Sequence, residues 1–204
     1  MRLVGVRKTI LGWALSLVVG PLSAQAPKPL TVSACPAADS LIGAEHIRRH
    51  GRVFVTPDSA HGRTIYSTGT RFLAPGDFHV TALAAQDQQQ PAPLAGGELW
   101  LYIVAPGREG QVDSLTPPAL AVMLNDSLTL HFGAVLVHPY HGPPQPFAPA
   151  TNVSVSMPPS TFLAIVRSPA PVFEFLGSRR KASQRELDDV QAVFRAAACN
   201  VAPP

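Results

Sequence analysis

The sequence is poor in charged residues and in cysteine. Asp, Glu, Lys and Arg make up 14% of the 204 residues, and the two cysteines are Cys35 and Cys199. No Cys-x-x-Cys pair occurs, so the sequence gives no sign of a dithiol redox enzyme. In an oxidising compartment the two cysteines are expected to pair. This predicts a structural disulfide that closes nearly the whole mature domain.

The motifs of several common enzyme classes are also missing. The sequence has no Gly-x-Ser-x-Gly elbow, no Walker loop, no dinucleotide-binding glycine pattern and no His-Glu-x-x-His. Ser178 and Lys181 have the Ser-x-x-Lys spacing of penicillin-recognising enzymes, but no Ser-x-Asn or Lys-Thr-Gly accompanies them. The sequence therefore predicts no catalytic residue and no cofactor, and it favours a protein that is not an enzyme.

Residues 1–24 predict a secretory signal peptide. Three basic residues precede an apolar run at residues 9–19, and small residues follow it. The uncharged core, which ends at Ala24, is shorter than the roughly 20 apolar residues that a stable membrane-spanning helix needs. We therefore expect cleavage after Ala24, export by a bacterial route, and a periplasmic or secreted mature chain.

Loss of the signal peptide changes the charge balance. The whole chain has 16 Lys and Arg against 13 Asp and Glu, and the signal holds three basic and no acidic residues. The net charge of +3 thus belongs to the precursor. The basic run at 179–181 is interpreted as a solvated turn. Because nucleic-acid binding needs a clustered basic surface, no nucleic-acid partner is expected; an envelope protein or a small ligand remains open.

Cys35 also ends a stretch that looks like a lipoprotein cleavage box, Val32-Ser33-Ala34-Cys35. Such a box would attach lipid to Cys35 and make the chain a lipoprotein component of an envelope complex. Against this interpretation, Lys28 and two prolines separate the apolar core from the cysteine, whereas a lipobox normally ends that core. Lipid anchoring at Cys35 is therefore the alternative to the disulfide.

The predicted fold class is mainly β (α+β): a β-sandwich-like or curled antiparallel sheet with two C-terminal helices packed on it. Residues 25–51 form an N-terminal lead with a short helix, and residues 52–199 form one β-rich domain. The 22 prolines and 15 glycines favour many turns between short elements. Strands are predicted at Val53–Val55, Thr64–Ser67, Phe78–Leu83, Glu98–Val104, Ala119–Leu124, Ser127–Phe132, Val135–His138, Asn152–Met157 and Val172–Leu176.

Three local patterns are more specific than the rest. The strand at 98–104 is apolar on both faces, which predicts a central position in its sheet. Asn125-Asp126 predicts a two-residue hairpin whose second arm points Leu128, Leu130 and Phe132 inward. Helices are expected at 158–167 and after the capping box Ser183-Gln184-Arg185-Glu186.

The stretch from Asn152 to Phe194, and especially its part SMPPSTFLAIVRSPAPVFEFLGSRRKASQRELDDVQAVF, has a recognisable order of elements. It resembles a pattern found in uncharacterised bacterial exported proteins: a β-rich body, a short helix, a strand ending in a glycine turn, and a capped final helix. The resemblance implies a β-sandwich-like fold. It brings no known activity, so it transfers no catalytic residue.

Some side chains could still assemble a site in three dimensions. His131, His138 and His141 could converge on zinc, although Pro139 argues against a helical His-x-x-His motif. Trp100, Tyr102 and Tyr140 could form a carbohydrate or peptide platform. Carboxylate pairs of the glycosidase type could come from distant strands. Their candidate members are Glu98, Glu109, Glu174, Asp77 and Asp113.

The favoured role is a non-catalytic periplasmic or envelope-associated binding or accessory module. This hypothesis rests on the exported, charge-balanced, turn-rich composition. The alternative is a hydrolase or metal-dependent enzyme whose site is assembled only in three dimensions.

Overall fold

The computed structural model describes residues 28–32, 35–48, 50–68, 78–87, 98–106, 119–125, 128–133, 136–138 and 150–202. Within these residues the protein is mainly β, with two antiparallel sheets and helices packed against them, which confirms the predicted fold class. The helices are α1 (Pro36–Ile42), α2 (Pro159–Arg167) and α3 (Gln184–Ala198), with a 3-10 turn at Ala44–His46. The strands are β1 (Leu30–Thr31), β2 (Arg52–Asp58), β3 (Arg63–Ser67), β4 (His79–Asp87), β5 (Glu98–Pro106), β6 (Leu120–Met123), β7 (Thr129–Phe132), β8 (Leu136–His138), β9 (Ala150–Met157), β10 (Val172–Phe175) and β11 (Ser178–Lys181).

The larger sheet has the strand order β1-β2-β3-β4-β5-β9-β8 among the described residues. Strand β5 lies between β4 and β9, so its predicted interior position is confirmed. Its residues Leu99, Leu101 and Ile103 are buried in the core, and the alternate residues Val153 and Val155 of β9 are buried with them. This face of the sheet carries the helices.

Helix α3 begins at the predicted capping box. Ser183 Oγ accepts a hydrogen bond from the Glu186 amide, and the Glu186 carboxylate accepts one from the Ser183 amide. The helix lies against β2, β3 and β4 and is contacted from elsewhere by α1 and α2. Every residue from 186 to 198 is buried as a result, including charged ones. The predicted helix at the end of the chain is thus the centre of the core.

Gly51 allows the chain to pass close to α3. A Cβ atom built on this glycine would lie 2.4 Å from the backbone oxygen of Asp188, much closer than van der Waals contact. Since that oxygen belongs to a buried helix, it cannot move aside like the end of a side chain. The residue at this position therefore has no room for a side chain.

Replacing Gly51 by alanine is expected to lower the free energy of unfolding by about 1–3 kcal/mol, the usual cost of overpacking. Chemical denaturation measures this change. Gly133→Ala is the matched control, because nothing lies within 4 Å of a Cβ built there and its backbone is not strained. Equal stability of the two variants would contradict the close approach of Gly51 to α3.

The smaller sheet has the order β11-β10-β6-β7 among the described residues. The predicted hairpin of β6 and β7 is confirmed, but its connection is longer than two residues. The Leu124 amide donates to the Leu128 carbonyl, and the Leu128 amide donates to Asn125 Oδ1. Leu128 therefore belongs to the turn and is exposed, so the prediction that it points inward is wrong.

The prediction of a solvated turn at residues 179–181 is also wrong. Residues 178–181 form β11, which pairs with β10, and the turn is made by Leu176 and Gly177, both with positive φ. Arg179 is exposed, but Arg180 is partly buried and points towards α3. Strand β4 likewise runs beyond the predicted end at Leu83. Cross-strand pairing overrides the polar local sequence in both places.

Candidate functional site

Two of the three predicted histidine ligands lie within the described residues, and they belong to different sheets. His131 lies exposed on β7 of the smaller sheet, whereas His138 lies on β8 at the edge of the larger sheet. His141 is outside the described residues. Within the described part of the chain, no group of three His, Cys, Asp or Glu side chains is placed to hold a metal ion. The zinc site stays an untested prediction.

Of the other candidates within the described residues, three lie on β5 and one lies on β10. Trp100 is half-buried on β5, and Tyr102 follows on the same strand. Glu98 begins β5 and lies 3.4 Å from Arg63 Nη1, and Glu174 is exposed on β10. Tyr140, Asp77, Glu109 and Asp113 lie outside the described residues.

A partly buried ion-pair cluster, of which the sequence predicted only the capping box, lies where α3, β4 and β11 meet. We call it the latch; it consists of His79, Arg180, Ser183 and Glu186. The Glu186 side chain is 3% exposed and that of His79 is 6% exposed. Oxygen Oε1 of Glu186 accepts from the Val80 amide at 2.9 Å and lies 3.0 Å from His79 Nδ1. The latch thus joins the start of α3 to the start of β4.

The second oxygen of Glu186 completes the latch. Oε2 accepts from Arg180 Nη1 at 2.8 Å, from the Ser183 amide at 2.8 Å and from Ser183 Oγ at 2.7 Å. Arg180 Nη2 donates to Oε1. Arg180 also donates from Nε to the Phe78 carbonyl and lies over the Phe78 ring, 4.7 Å from its centroid. Strand β11 is therefore tied to both β4 and α3.

These contacts set the protonation state of Glu186. Burial alone would raise the pKa of its carboxyl group, because the charged form is desolvated. Hydrogen bonds from Arg180, His79 and the backbone amides of Val80 and Ser183 outweigh burial and hold the pKa well below its ordinary value of 4.5. Glu186 is therefore ionised at neutral pH, and it forms a charged pair with Arg180.

The latch serves structure better than catalysis. A histidine held by a carboxylate is a common acid–base arrangement, but here Arg180 shares the same carboxylate. Both carboxylate oxygens accept several hydrogen bonds, and His79 is almost fully buried. The arrangement holds α3, β4 and β11 together. The capping box pointed to Glu186 and Ser183 in the sequence, but no local signal pointed to His79 or Arg180.

The outer face of the smaller sheet carries a depression of about 500 Å³. Strand register places Glu174, Ala121 and His131 in one row across β10, β6 and β7. Glu174 and His131 therefore lie on the same face of the sheet, with the small side chain of Ala121 between them. Neither side chain has a hydrogen-bond partner among the described residues. The depression is lined by Ala119, Ala121, Met123, Thr129, His131, Glu174, Leu176 and Gly177.

No family model, no curated protein and no solved structure matches this chain.

The depression offers exposed polar groups beside small and apolar ones, as at a contact surface, whereas His79 and Glu186 of the latch are buried. Arg179 borders the same face and places Nη2 2.8 Å from Met123 Sδ. Sequence patterns missed the depression, because its walls come from strands paired across Ala121 and Glu174, which are far apart in the chain.

The two cysteines lie at the opposite end of α3 from the latch. Cys35 and Cys199 are bonded, with their Cα atoms 6.2 Å apart and 164 positions apart in sequence, as predicted. Cys35 is buried. Among the described helices, none has both the length and the apolar character needed to cross a bilayer.

Proposed function

We propose that the chain is an exported, non-catalytic binding or accessory module that works in the periplasm or at the cell envelope. The Cys35–Cys199 bridge carries this proposal, since such bonds persist in oxidising compartments outside the cytoplasm. The signal-like pattern at residues 1–24 agrees with it. The resemblance of residues 152–194 to exported bacterial proteins points the same way.

The geometry favours binding over catalysis. Glu186, the most deeply buried carboxylate among the described residues, is committed to the latch through several hydrogen bonds. Exposed polar groups without described partners gather instead in the depression on the smaller sheet, where Glu174 and His131 share a row. We assign the contact surface to this depression. Its occupant is an envelope protein or a small ligand.

Export is tested by placing a charge in the apolar run. Leu15→Arg is expected to leave the full-length precursor in the cytosol of a Gram-negative host, because a charge there disrupts the apolar core of the signal. Immunoblots of periplasmic and cytosolic fractions measure this. Leu128→Arg is the matched control, since Leu128 is exposed on the body. Export of the Leu15→Arg chain, or cytosolic retention of the unmodified chain, would contradict the proposal.

A metal-dependent enzyme is the second candidate. His131 and Glu174 lie in one row on either side of Ala121, and both are residue types that bind zinc. Metal analysis of the purified mature protein separates the two candidates. Stoichiometric zinc that is lost in His131→Ala would favour the enzyme, and metal-free protein that still binds a partner through the depression would favour the module.

A further inference from the structure

The two bridged cysteines lie beside a partly buried ion pair between Asp39 and Arg195. The Cys35 amide donates to Asp39 Oδ2 at 3.2 Å, and the Cys199 amide donates to the Arg195 carbonyl at 3.0 Å. Arg195 Nε in turn donates to Asp39 Oδ1 at 2.8 Å. A chain of hydrogen bonds therefore connects the two cysteine backbones without passing through the sulfur atoms.

The ion pair is well placed to fix the two backbones. The Arg195 side chain is 1% exposed and that of Asp39 is 20% exposed, so water screens their attraction only partly. Asp39 lies one turn after Cys35 in α1, and its own amide donates to the Cys35 carbonyl at 2.8 Å. Arg195 lies one turn before Cys199 in α3. Docking α1 on α3 through this pair brings the cysteines together.

We infer that the Asp39–Arg195 ion pair aligns Cys35 with Cys199 before oxidation and so favours formation of the disulfide between them. The inference rests on the proposed export, because the chain must meet an oxidant after it has folded. Asp39 and Arg195 are positioning residues in this scheme. They do not touch the reacting sulfur atoms.

The oxidant is a disulfide, such as oxidised glutathione or a disulfide-bearing oxidoreductase. One protein thiol loses its proton, attacks the oxidant and forms a mixed disulfide, and one reduced thiol leaves. The second protein thiolate then attacks the protein sulfur of the mixed disulfide, and the other reduced thiol leaves. The equilibrium of the second step depends on how well the two cysteines are aligned.

Lipid attachment at Cys35 would disrupt the same region. Cleavage before Cys35 would remove β1, which pairs with β2 through Leu30 and Val53, and would remove the buried Val32. The Cys35 sulfur would carry lipid and could not bond to Cys199. The mature chain is thus expected to begin upstream of Lys28 and to keep Cys35 internal.

The test is the equilibrium of the exported, purified protein in buffers of reduced and oxidised glutathione. The fraction oxidised gives the effective concentration of one thiol towards the other. Asp39→Asn is expected to lower this concentration about tenfold, since the charged pair that docks α1 on α3 is lost. Glu45→Gln is the control, because Glu45 is exposed and lies in the same segment; it should leave the value unchanged.

A second pair of measurements excludes loss of folding. In a background with both cysteines replaced by serine, Asp39→Asn must still unfold cooperatively; if it does not, Arg195→Gln, which also removes the charged pair, replaces it as the test variant. An effective concentration in the folded variant equal to that of the control would overturn the inference, as would mature protein that begins at a lipidated Cys35. Failure of export is a separate result, because it shows as cytosolic precursor, whereas the glutathione equilibrium can be measured on folded protein purified from either fraction.

Discussion

Replacing Glu186 by glutamine is expected to lower the free energy of unfolding by about 3–4 kcal/mol, the usual cost of breaking a buried ion pair. Glutamine keeps the size of the side chain but removes its charge. It also replaces one accepting oxygen by a donor, which faces the donors Arg180, His79 and Ser183. Chemical denaturation at neutral pH measures the change.

The effect of Glu186→Gln should depend on pH in a defined direction. The folded protein holds the pKa of Glu186 below its ordinary value of 4.5, so the carboxylate stabilises the fold fully above that value. Its contribution is lost as the pH falls from there towards the lower pKa of the folded state. The stability gap between the natural chain and Glu186→Gln should thus be the same at about pH 7 and about pH 6, and smaller at about pH 3.

Glu174→Gln is the matched control for the latch. Glu174 is an exposed carboxylate on β10, the strand next to β11, and it has no hydrogen-bond partner among the described residues. Its replacement should change the free energy of unfolding by about 0.5 kcal/mol or less. If both variants lose the same small amount, the latch does not hold β11 and β4 on α3.

Replacing both Cys35 and Cys199 by serine is expected to cost about 4 kcal/mol of stability. The bridge spans 164 positions, and the chain-entropy model gives roughly 5 kcal/mol for a loop of this length, of which real bridges often deliver less. Urea denaturation of the oxidised protein and of the double variant measures the difference. The stability is lost mainly because the unfolded chain has more conformational entropy without the bridge.

Reduction of the natural chain provides the control for this substitution. The reduced protein should unfold at the same urea concentration as the double variant, because both lack only the bridge. A loss of less than about 1 kcal/mol would contradict a bridge that restrains the whole unfolded chain. A reduced protein much more stable than the double variant would show that serine itself disturbs the site around the buried Cys35.

Local sequence signals were enough for the core elements. The capping box at Ser183 and Glu186 with its helical apolar spacing predicted α3, because each contact lies within one turn of helix. Strand β5 was predicted to lie inside its sheet because apolar residues occupy both of its faces. The expected oxidising compartment predicted the pairing of Cys35 with Cys199, since the sequence has no other cysteine.

The latch and the depression could not be predicted in this way. Residues 178–181 are polar and charged, so they lack the apolar alternation of a strand, and only pairing with β10 reveals β11. His79 meets Glu186 across more than 100 positions of sequence, as does the Val80 amide. Such contacts depend on sheet order, which no local pattern in this chain specifies.

The central claim is that the protein is exported and that one disulfide, between Cys35 and Cys199, joins the two ends of its folded body. The most direct test is the intact mass of protein recovered from the periplasm after treatment with an alkylating reagent. We predict a single species that spans residues 25–204, lacks two hydrogen atoms relative to the reduced chain and carries no alkyl group. A precursor that retains residues 1–24 and is alkylated at both Cys35 and Cys199 would contradict the account.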